Sequence, residues 1–315
     1  MSKRPRVVVS GTLPAAGRDL LRARFVVESA GRAADGGLLE RVAGASAIVA
    51  NPSIPVDAEL FDAAGDSLRV VANFGVGYDN VDLKVAAMRG VRVTNTPGVL
   101  TDATAELAVA LMLAAGRRIA EGDAIVRDGK WTGWGPGEFL GRELVGATIG
   151  LVGFGRIGQR VAELLRGFGG QLLFTSRGIV PPRHGAERRE LADLLAASDF
   201  VSLHVPLTPE TRHLIDAPAL EQMKPGAVLV NTSRGAVLDT TALIAALRSG
   251  RLAAVGLDVY ENEPHVPAEL RELPGTVLLP HIGSATVATR DAMARLCAEN
   301  VIAVLEGREP SAAVL

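Results

Sequence analysis

Short runs of aliphatic and β-branched residues alternate with longer stretches of helical periodicity along the whole chain. That alternation is the pattern of βαβ units, which build a parallel sheet. In the first third, Arg6–Ser10, Ala47–Asn51, Arg69–Asn73 and Val91–Asn95 read as strands with helical patterns between them, a small open α/β domain. A long helical pattern then runs from about Thr101 to Asp128, with Thr101 or Asp102 placed to cap its start. The loop Gly129-Lys-Trp-Thr-Gly-Trp-Gly-Pro-Gly follows.

The second half is patterned more sharply. Thr148–Gly153 is a strand, followed after Gly158 by a helix through Phe168. Further strands fall at Gln171–Thr175, Phe200–Val205, Ala227–Asn231, Ala254–Asp258 and Thr276–Pro280. Six parallel strands with intervening helices match a doubly wound dinucleotide-binding sheet. Ala285–Leu305 reads as a last helix that returns to the first domain. The fold class is therefore α/β: two Rossmann-like, doubly wound parallel-sheet domains with a cleft between them. Residues 1–97, completed by 286–315, form an outer, substrate-binding domain, and 98–285 the dinucleotide-binding domain.

Composition agrees with that organisation and narrows the function. At roughly 150 residues per domain, 315 residues suggest two domains. A content of 48% hydrophobic and 22% charged residues is enough to build a core. The 33 basic and 35 acidic residues leave a net charge of −2, which argues against a nucleic-acid-binding surface. A lone cysteine, Cys297, excludes an internal disulfide or a multi-cysteine metal site, and no metal is expected. The longest apolar run, Leu107 to Ala115, is far short of a membrane span and ends at Arg117 and Arg118. The basic start Met1–Arg6 is followed only by Val7–Val9 before Ser10, too little for a signal-peptide core. The expectation is a soluble, cytoplasmic protein.

Gly153-Phe-Gly155-Arg-Ile-Gly158 fits the G-x-G-x-x-G fingerprint, after a strand and at the start of a helix. The first glycine permits the tight turn, the second lets backbone approach a pyrophosphate, and the third allows close helix–strand packing. The next strand decides the dinucleotide. An NAD site places an acid at its end for the ribose hydroxyls. Here the strand runs into Ser176-Arg177-Gly178, a hydroxyl and a guanidinium suited to a 2′-phosphate, so NADP is preferred and NAD remains possible.

Ligands of open α/β sheets bind at the carboxyl ends of the strands. Those ends carry His204, Arg234, Asp258 with Glu263, and His281. An arginine, a carboxylate and a histidine at neighbouring strand ends form an acid–base site for an anionic substrate. Alternatives stay open on position alone. His204 reads equally as a packed strand residue, Arg234 as a helix cap or a partner of Asp239, and Glu261 competes with Glu263. His184, His213 and His265 read as surface residues in polar surroundings.

Over essentially its full length the chain resembles the D-isomer-specific 2-hydroxyacid dehydrogenase family. The resemblance is carried by Asn73-Phe-Gly-Val-Gly-Tyr-Asp-Asn80, Asn95-Thr-Pro-Gly-Val-Leu-Thr-Asp102 and the glycine fingerprint. Pro206-Leu-Thr-Pro-Glu-Thr211, Asn231-Thr-Ser-Arg-Gly235, Gly256-Leu-Asp-Val-Tyr-Glu-Asn-Glu-Pro264 and Pro280-His-Ile-Gly-Ser-Ala-Thr286 add to it. Within the family the chain is most similar to the glyoxylate and hydroxypyruvate reductase branch, including the Trp131-Thr-Gly-Trp134 loop.

The resemblance implies NADPH-preferring reduction of a small 2-keto acid to the D-2-hydroxy acid by a homodimer. It implies His281 as general acid, Glu263 as its partner, and Arg234 as the group that binds the substrate carboxylate and polarises the keto group. Val76, Gly77 and Ser284 would join the substrate site, and Trp134 would reach the pocket of a neighbouring subunit. Around the cofactor it implies Gly153, Gly155, Arg156, Ile157 and Gly158, then Ser176 and Arg177, then Val205, Pro206 and Thr211. Thr232, Ser233, Asp258 and Gly283 complete that set, Asp258 facing the nicotinamide carboxamide. Phosphite dehydrogenases of this fold carry a lysine where Val76 stands, and formate dehydrogenases an amide where Glu263 stands. A dinucleotide-sensing corepressor on the same fold, or a dehydrogenase for another D-2-hydroxy acid, is the alternative.

Overall fold

The computed structural model describes residues 4–31 and 37–315; Met1 to Lys3 of the basic start lie outside them. The chain divides into two compact units, Met1–Leu100 with Ser284–Leu315, and Thr101–Gly283.

The first unit is built on β1 (Arg6–Val9), β2 (Val26–Ser29), β3 (Ala47–Ala50), β4 (Val70–Asn73) and β5 (Arg92–Thr94), all parallel in the order β2-β1-β3-β4-β5. The inner strands β3 and β4 are buried throughout, as expected of a parallel sheet covered on both faces. The sequence pattern missed β2. It is an edge strand whose residues are exposed or half-buried, with Val26 45% exposed, so it shows no continuous apolar run. One face is covered by side chains such as Leu60, Phe61 and Ala86. On the other, the helix Val287–Leu305 supplies Ala294, Cys297, Ala298 and Val301, beside Leu21 of the helix Ala15–Arg22. Gly17 makes that approach feasible, since a β-carbon there would fall 2.2 Å from the Ala294 carbonyl oxygen.

The second unit contains seven parallel strands rather than six: β6 (Thr148–Val152), β7 (Gln171–Thr175), β8 (Glu187–Arg188), β9 (Phe200–Leu203), β10 (Ala227–Asn231), β11 (Leu252–Leu257) and β12 (Thr276–Leu278). The unforeseen strand, β8, is two charged, exposed residues at the sheet edge and so carries no hydrophobic signal. The order β12-β11-β10-β9-β6-β7-β8 reverses direction at β6, which creates a switch point between β6 and β9. Helices Thr101–Gly116 and Arg156–Leu165 cover one face through Ala105, Leu111, Val161 and Leu165. Helices Leu191–Ala197, Ala217–Gln222 and Thr240–Arg248 cover the other through Leu194, Leu220 and Leu243.

Three expected elements differ in detail. The pattern from Thr101 to Asp128 is two helices, Thr101–Gly116 and Ile119–Arg127, interrupted by Arg118 at φ 53°. The break lets the Gly116 carbonyl accept from the Arg142 amide at 2.7 Å. Asp102 lies inside the helix, and its carboxylate accepts from Arg160 Nε at 2.8 Å instead of capping. The helix after the glycine turn begins at Arg156, not after Gly158, because Gly155 already occupies its N-cap.

Candidate active site

At the end of β6, Gly153 takes φ 100°, a conformation that a β-carbon disfavours. A β-carbon there would also meet the His204 carbonyl oxygen at 2.6 Å, and one on Gly158 would fall 2.2 Å from the Gly153 carbonyl oxygen. The turn is thus closed tightly from behind. Gly155 has nothing within 4 Å of its β-carbon position, so the open side of the turn is at the helix N-terminus. That helix has no side-chain cap, which leaves the N–H groups of Arg156, Ile157 and Gly158 available to an anion.

Two buried polar atoms border the same strand ends without a protein partner, His204 Nε2 and Thr232 Oγ1. Burial pushes the His204 imidazole down to about 4, so the ring is neutral. An open glycine, an uncapped helix and orphaned polar atoms at the switch point fit a dinucleotide. Thr211 is occupied otherwise: its hydroxyl donates to the Pro206 carbonyl at 2.6 Å and accepts from the Thr208 amide at 2.8 Å. It shapes the Val205–Pro206 turn from within.

Beyond β7, the Ser176 hydroxyl closes its own turn on the Gly178 carbonyl at 2.9 Å. Arg177 reaches out to Glu210, 3.6 Å away, with both side chains about two-thirds exposed. A second guanidinium reaches the same turn, that of Arg188, which donates to the Ser176 carbonyl at 3.0 Å. No acid ends the strand itself, but Glu210 arrives opposite Arg177 from the turn after β9, a neighbour that strand-end reasoning missed.

The acid–base residues converge through three turns. After β10, the Asn231 carboxamide accepts from the Ser233 amide and hydroxyl at 3.0 and 2.8 Å and donates to the Arg234 carbonyl at 2.9 Å. This side-chain clamp holds the turn that presents Arg234, whose Nη1 donates to the Ser233 carbonyl at 2.9 Å. Arg234 flanks the 3-10 turn Gly235–Val237, and the helix cap that follows is Asp239. After β11, Asp258 is almost fully buried and accepts from the Ile282 and Gly283 amides at 2.6 and 2.7 Å. Its carboxylate therefore anchors the loop that carries His281. Burial is the main reason that its carboxyl lies above the usual range, against those two bonds.

Glu263 completes the group. Its Oε2 lies 2.7 Å from His281 Nδ1 and its Oε1 accepts from the Tyr260 amide at 3.0 Å. Burial works to raise this carboxyl, but the bond and charge of His281, the Tyr260 amide and the Arg234 charge outweigh it and hold it below the usual range. A carboxylate on Nδ1 orients the imidazole and leaves Nε2 as the ring nitrogen outside that contact. Glu261, the competing acid, turns to His213 at 2.6 Å. His213 is thus not a free surface residue, contrary to the sequence expectation.

In the first unit, the carbonyls of Val76 and Gly77 accept from the Asn95 and Asn73 side chains at 2.8 and 2.6 Å. Among the described residues their amides have no acceptor, an arrangement that suits a carboxylate. The Ser284 carbonyl accepts from Arg290 at 3.2 Å. Trp134 is 84% exposed and Trp131 61%. Among the described residues no cluster of three His, Cys, Asp or Glu could hold a metal, and no helix is long and apolar enough to cross a membrane.

The profile of a family described as D-isomer specific 2-hydroxyacid dehydrogenase, NAD binding domain, matches residues 109–283. A glyoxylate reductase of Thermococcus litoralis is 48% identical over 98% of this chain and 96% of its own length. The crystal structure of a Thermus thermophilus protein superposes with a TM-score of 0.92 at 48% identity, covering 98% of this chain and all of that one. An NADPH-dependent glyoxylate/hydroxypyruvate reductase of Sinorhizobium meliloti, in complex with NADP and malonate, superposes with a TM-score of 0.90 at 37% identity, covering 99% and 97% of the two chains.

Proposed function

The chain belongs to the D-isomer-specific 2-hydroxyacid dehydrogenase family, and from that premise we propose that it reduces a small 2-keto acid, glyoxylate or hydroxypyruvate, to the D-2-hydroxy acid, preferring NADPH to NADH. The carrying observation is the 2.7 Å pairing of His281 Nδ1 with Glu263, with the Arg234 charge close enough to act on that carboxylate. Bound NADPH supplies the hydride. His281 Nε2 gives its proton to the carbonyl oxygen as that oxygen gains charge, while Glu263 stabilises the imidazolium before transfer and keeps the ring from turning. Arg234 binds the substrate carboxylate and polarises the keto group, a task for a charge that does not titrate.

The uncapped helix at Arg156 and the open Gly155 take the pyrophosphate, and Thr232 and Ser233 line the path toward the nicotinamide. Arg177 takes the 2′-phosphate, with Ser176 holding its turn; this is the basis of the NADPH preference. Asp258 contributes mainly by fixing the His281 loop. The protein works as a cytoplasmic homodimer, and the exposed Trp134 loop is the segment that reaches a second copy.

Steady-state oxidation of NADPH and NADH, each with glyoxylate and with hydroxypyruvate, tests the reading through loss of reduced-nicotinamide absorbance. Efficient turnover with NADPH supports it. Binding of dinucleotide without turnover of these or bulkier keto acids would overturn it in favour of a dinucleotide sensor.

A further inference from the structure

The segment from Asp258 to Pro264 carries glutamates at 261 and 263, and each meets its own histidine. Glu263 lies 2.7 Å from His281 and Glu261 2.6 Å from His213. Both histidines hold left-handed backbone conformations, φ 54° at His281 and 50° at His213. Such a conformation is unfavourable for a non-glycine residue and persists only where the surroundings impose it. The second pair is the better enclosed, since the Glu261 side chain is 18% exposed and that of Glu263 27%.

Glu261 is tied to more than one histidine. Its Oε2 accepts the Thr240 amide at 3.1 Å, at the start of the helix Thr240–Arg248, and Arg212 stands 4.0 Å from its Oε1. His213 is itself fixed through the main chain. Its amide donates to the Ala236 carbonyl at 2.8 Å, inside the 3-10 turn that follows Arg234. Gly235 of that turn sits so close to the glutamate loop that a β-carbon would fall 1.9 Å from the Tyr260 carbonyl carbon. Glu261 thus joins the Arg234 turn, a helix start and the loop that carries Glu263. Burial raises its carboxyl, yet the bonds from Thr240 and His213 outweigh that and keep it ionised. An isolated surface pair would be worth little; a partly buried carboxylate holding a main-chain amide and a strained histidine is a different object.

We propose that Glu261 and His213 form a positioning pair that sets the Glu263 carboxylate on His281 and keeps the Arg234 turn in register with it. The inference rests on the catalytic reading of Glu263 and His281. Neither member of the pair touches the reacting atoms. The effect is on where Glu263 and Arg234 stand when hydride is transferred.

Four variants assayed together test it: Glu261→Ala, Glu261→Gln, Glu263→Gln, and Glu261→Ala combined with Glu263→Gln, with kcat and the Kd of the reduced dinucleotide measured for each. Glu261→Ala is expected to lower kcat about 10- to 100-fold, the loss produced by an ångström-scale misplacement of catalytic groups. Dinucleotide affinity should stay within about twofold, because the glycine turn is untouched. Glu261→Gln retains an oxygen for the Thr240 amide and offers an amide N–H to the Nε2 of a neutral His213, and should recover most of kcat. In the Glu263→Gln background, Glu261→Ala should lower kcat by a clearly smaller factor than in the parent protein, since one of the two groups it positions is already gone and only the Arg234 turn remains to be displaced. Full kcat in Glu261→Ala beside an impaired Glu263→Gln overturns the positioning role and leaves the catalytic reading intact. Full kcat in Glu263→Gln overturns the catalytic reading, and the inference with it. Equal losses in both backgrounds, or a parallel loss of dinucleotide affinity, would mean general loss of structure and overturn the proposal too.

Discussion

In the first unit β1 is followed by Gly11 at φ 106°, and its helix carries Gly17 as third residue; in the second, β6 is followed by Gly153 at φ 100°, and its helix carries Gly158 as third residue. The outer glycines of the two turns do comparable mechanical work. Gly11 and Gly153 turn the chain, while Gly17 and Gly158 admit a carbonyl where a methyl would collide, that of Ala294 in one case and of Gly153 in the other. The middle of the turn is where they part. The first unit places Leu13 there, buried, and Pro14 as N-cap. The second places Gly155, with open space where its β-carbon would be. A strand–turn–helix with two well-placed glycines is therefore an architectural device, and the ligand information lies in the third.

That contrast extends to the strand ends, and it can be attacked in order of expected effect. His281→Ala removes the proposed proton donor from the second unit and should lower kcat by about 10²- to 10⁴-fold with dinucleotide affinity nearly intact. A variant that keeps full turnover would dissolve the functional difference between the units. Next come the paired glycines. Gly17→Ala and Gly158→Ala should each cost about 1–3 kcal/mol in urea unfolding, because a methyl must displace a carbonyl. Only Gly158→Ala should also weaken dinucleotide binding; loss of binding in both would mean that the two turns are not separable.

Arg177→Asp should lower the NADPH-to-NADH selectivity by about tenfold or more, the worth of one charge-assisted contact, with stability unchanged. Unaltered selectivity would refute the 2′-phosphate assignment. The smallest effect concerns His204, beneath Gly153. Its folded value of about 4 lies below the ordinary 6.5, so the unfolded chain binds the extra proton first. Stability should fall as pH drops through 6.5 and the loss should level off near 4. His204→Gln should flatten that dependence by about 1 kcal/mol between neutral and mildly acid pH, read from urea midpoints.

The residues proposed to face a ligand were the most legible ones. Gly153, Gly155 and Gly158 declare themselves because a turn against a pyrophosphate tolerates nothing larger, and Arg234, Glu263 and His281 stand at strand ends, where a parallel sheet exposes side chains. Edge strands were not legible: Val26–Ser29 and Glu187–Arg188 bury too little to leave a hydrophobic run. Nor was the choice between Glu261 and Glu263. Both are acids on one loop, and only the fold shows that one faces His281 while the other faces His213. His213 looked like a surface residue because its neighbours in sequence, Arg212 and Leu214, say nothing about Glu261, 48 positions away.

Local chemistry was enough to determine the two α/β windings, the glycine turn and the charged residues available at strand ends, because periodicity and φ preferences act over a few residues. Which acid serves which histidine, that Glu210 faces Arg177, and that Asp258 is spent on the His281 loop were decided by tertiary structure alone. A hydrogen bond is made over about 3 Å, and only the folded chain brings residues distant in sequence within that reach.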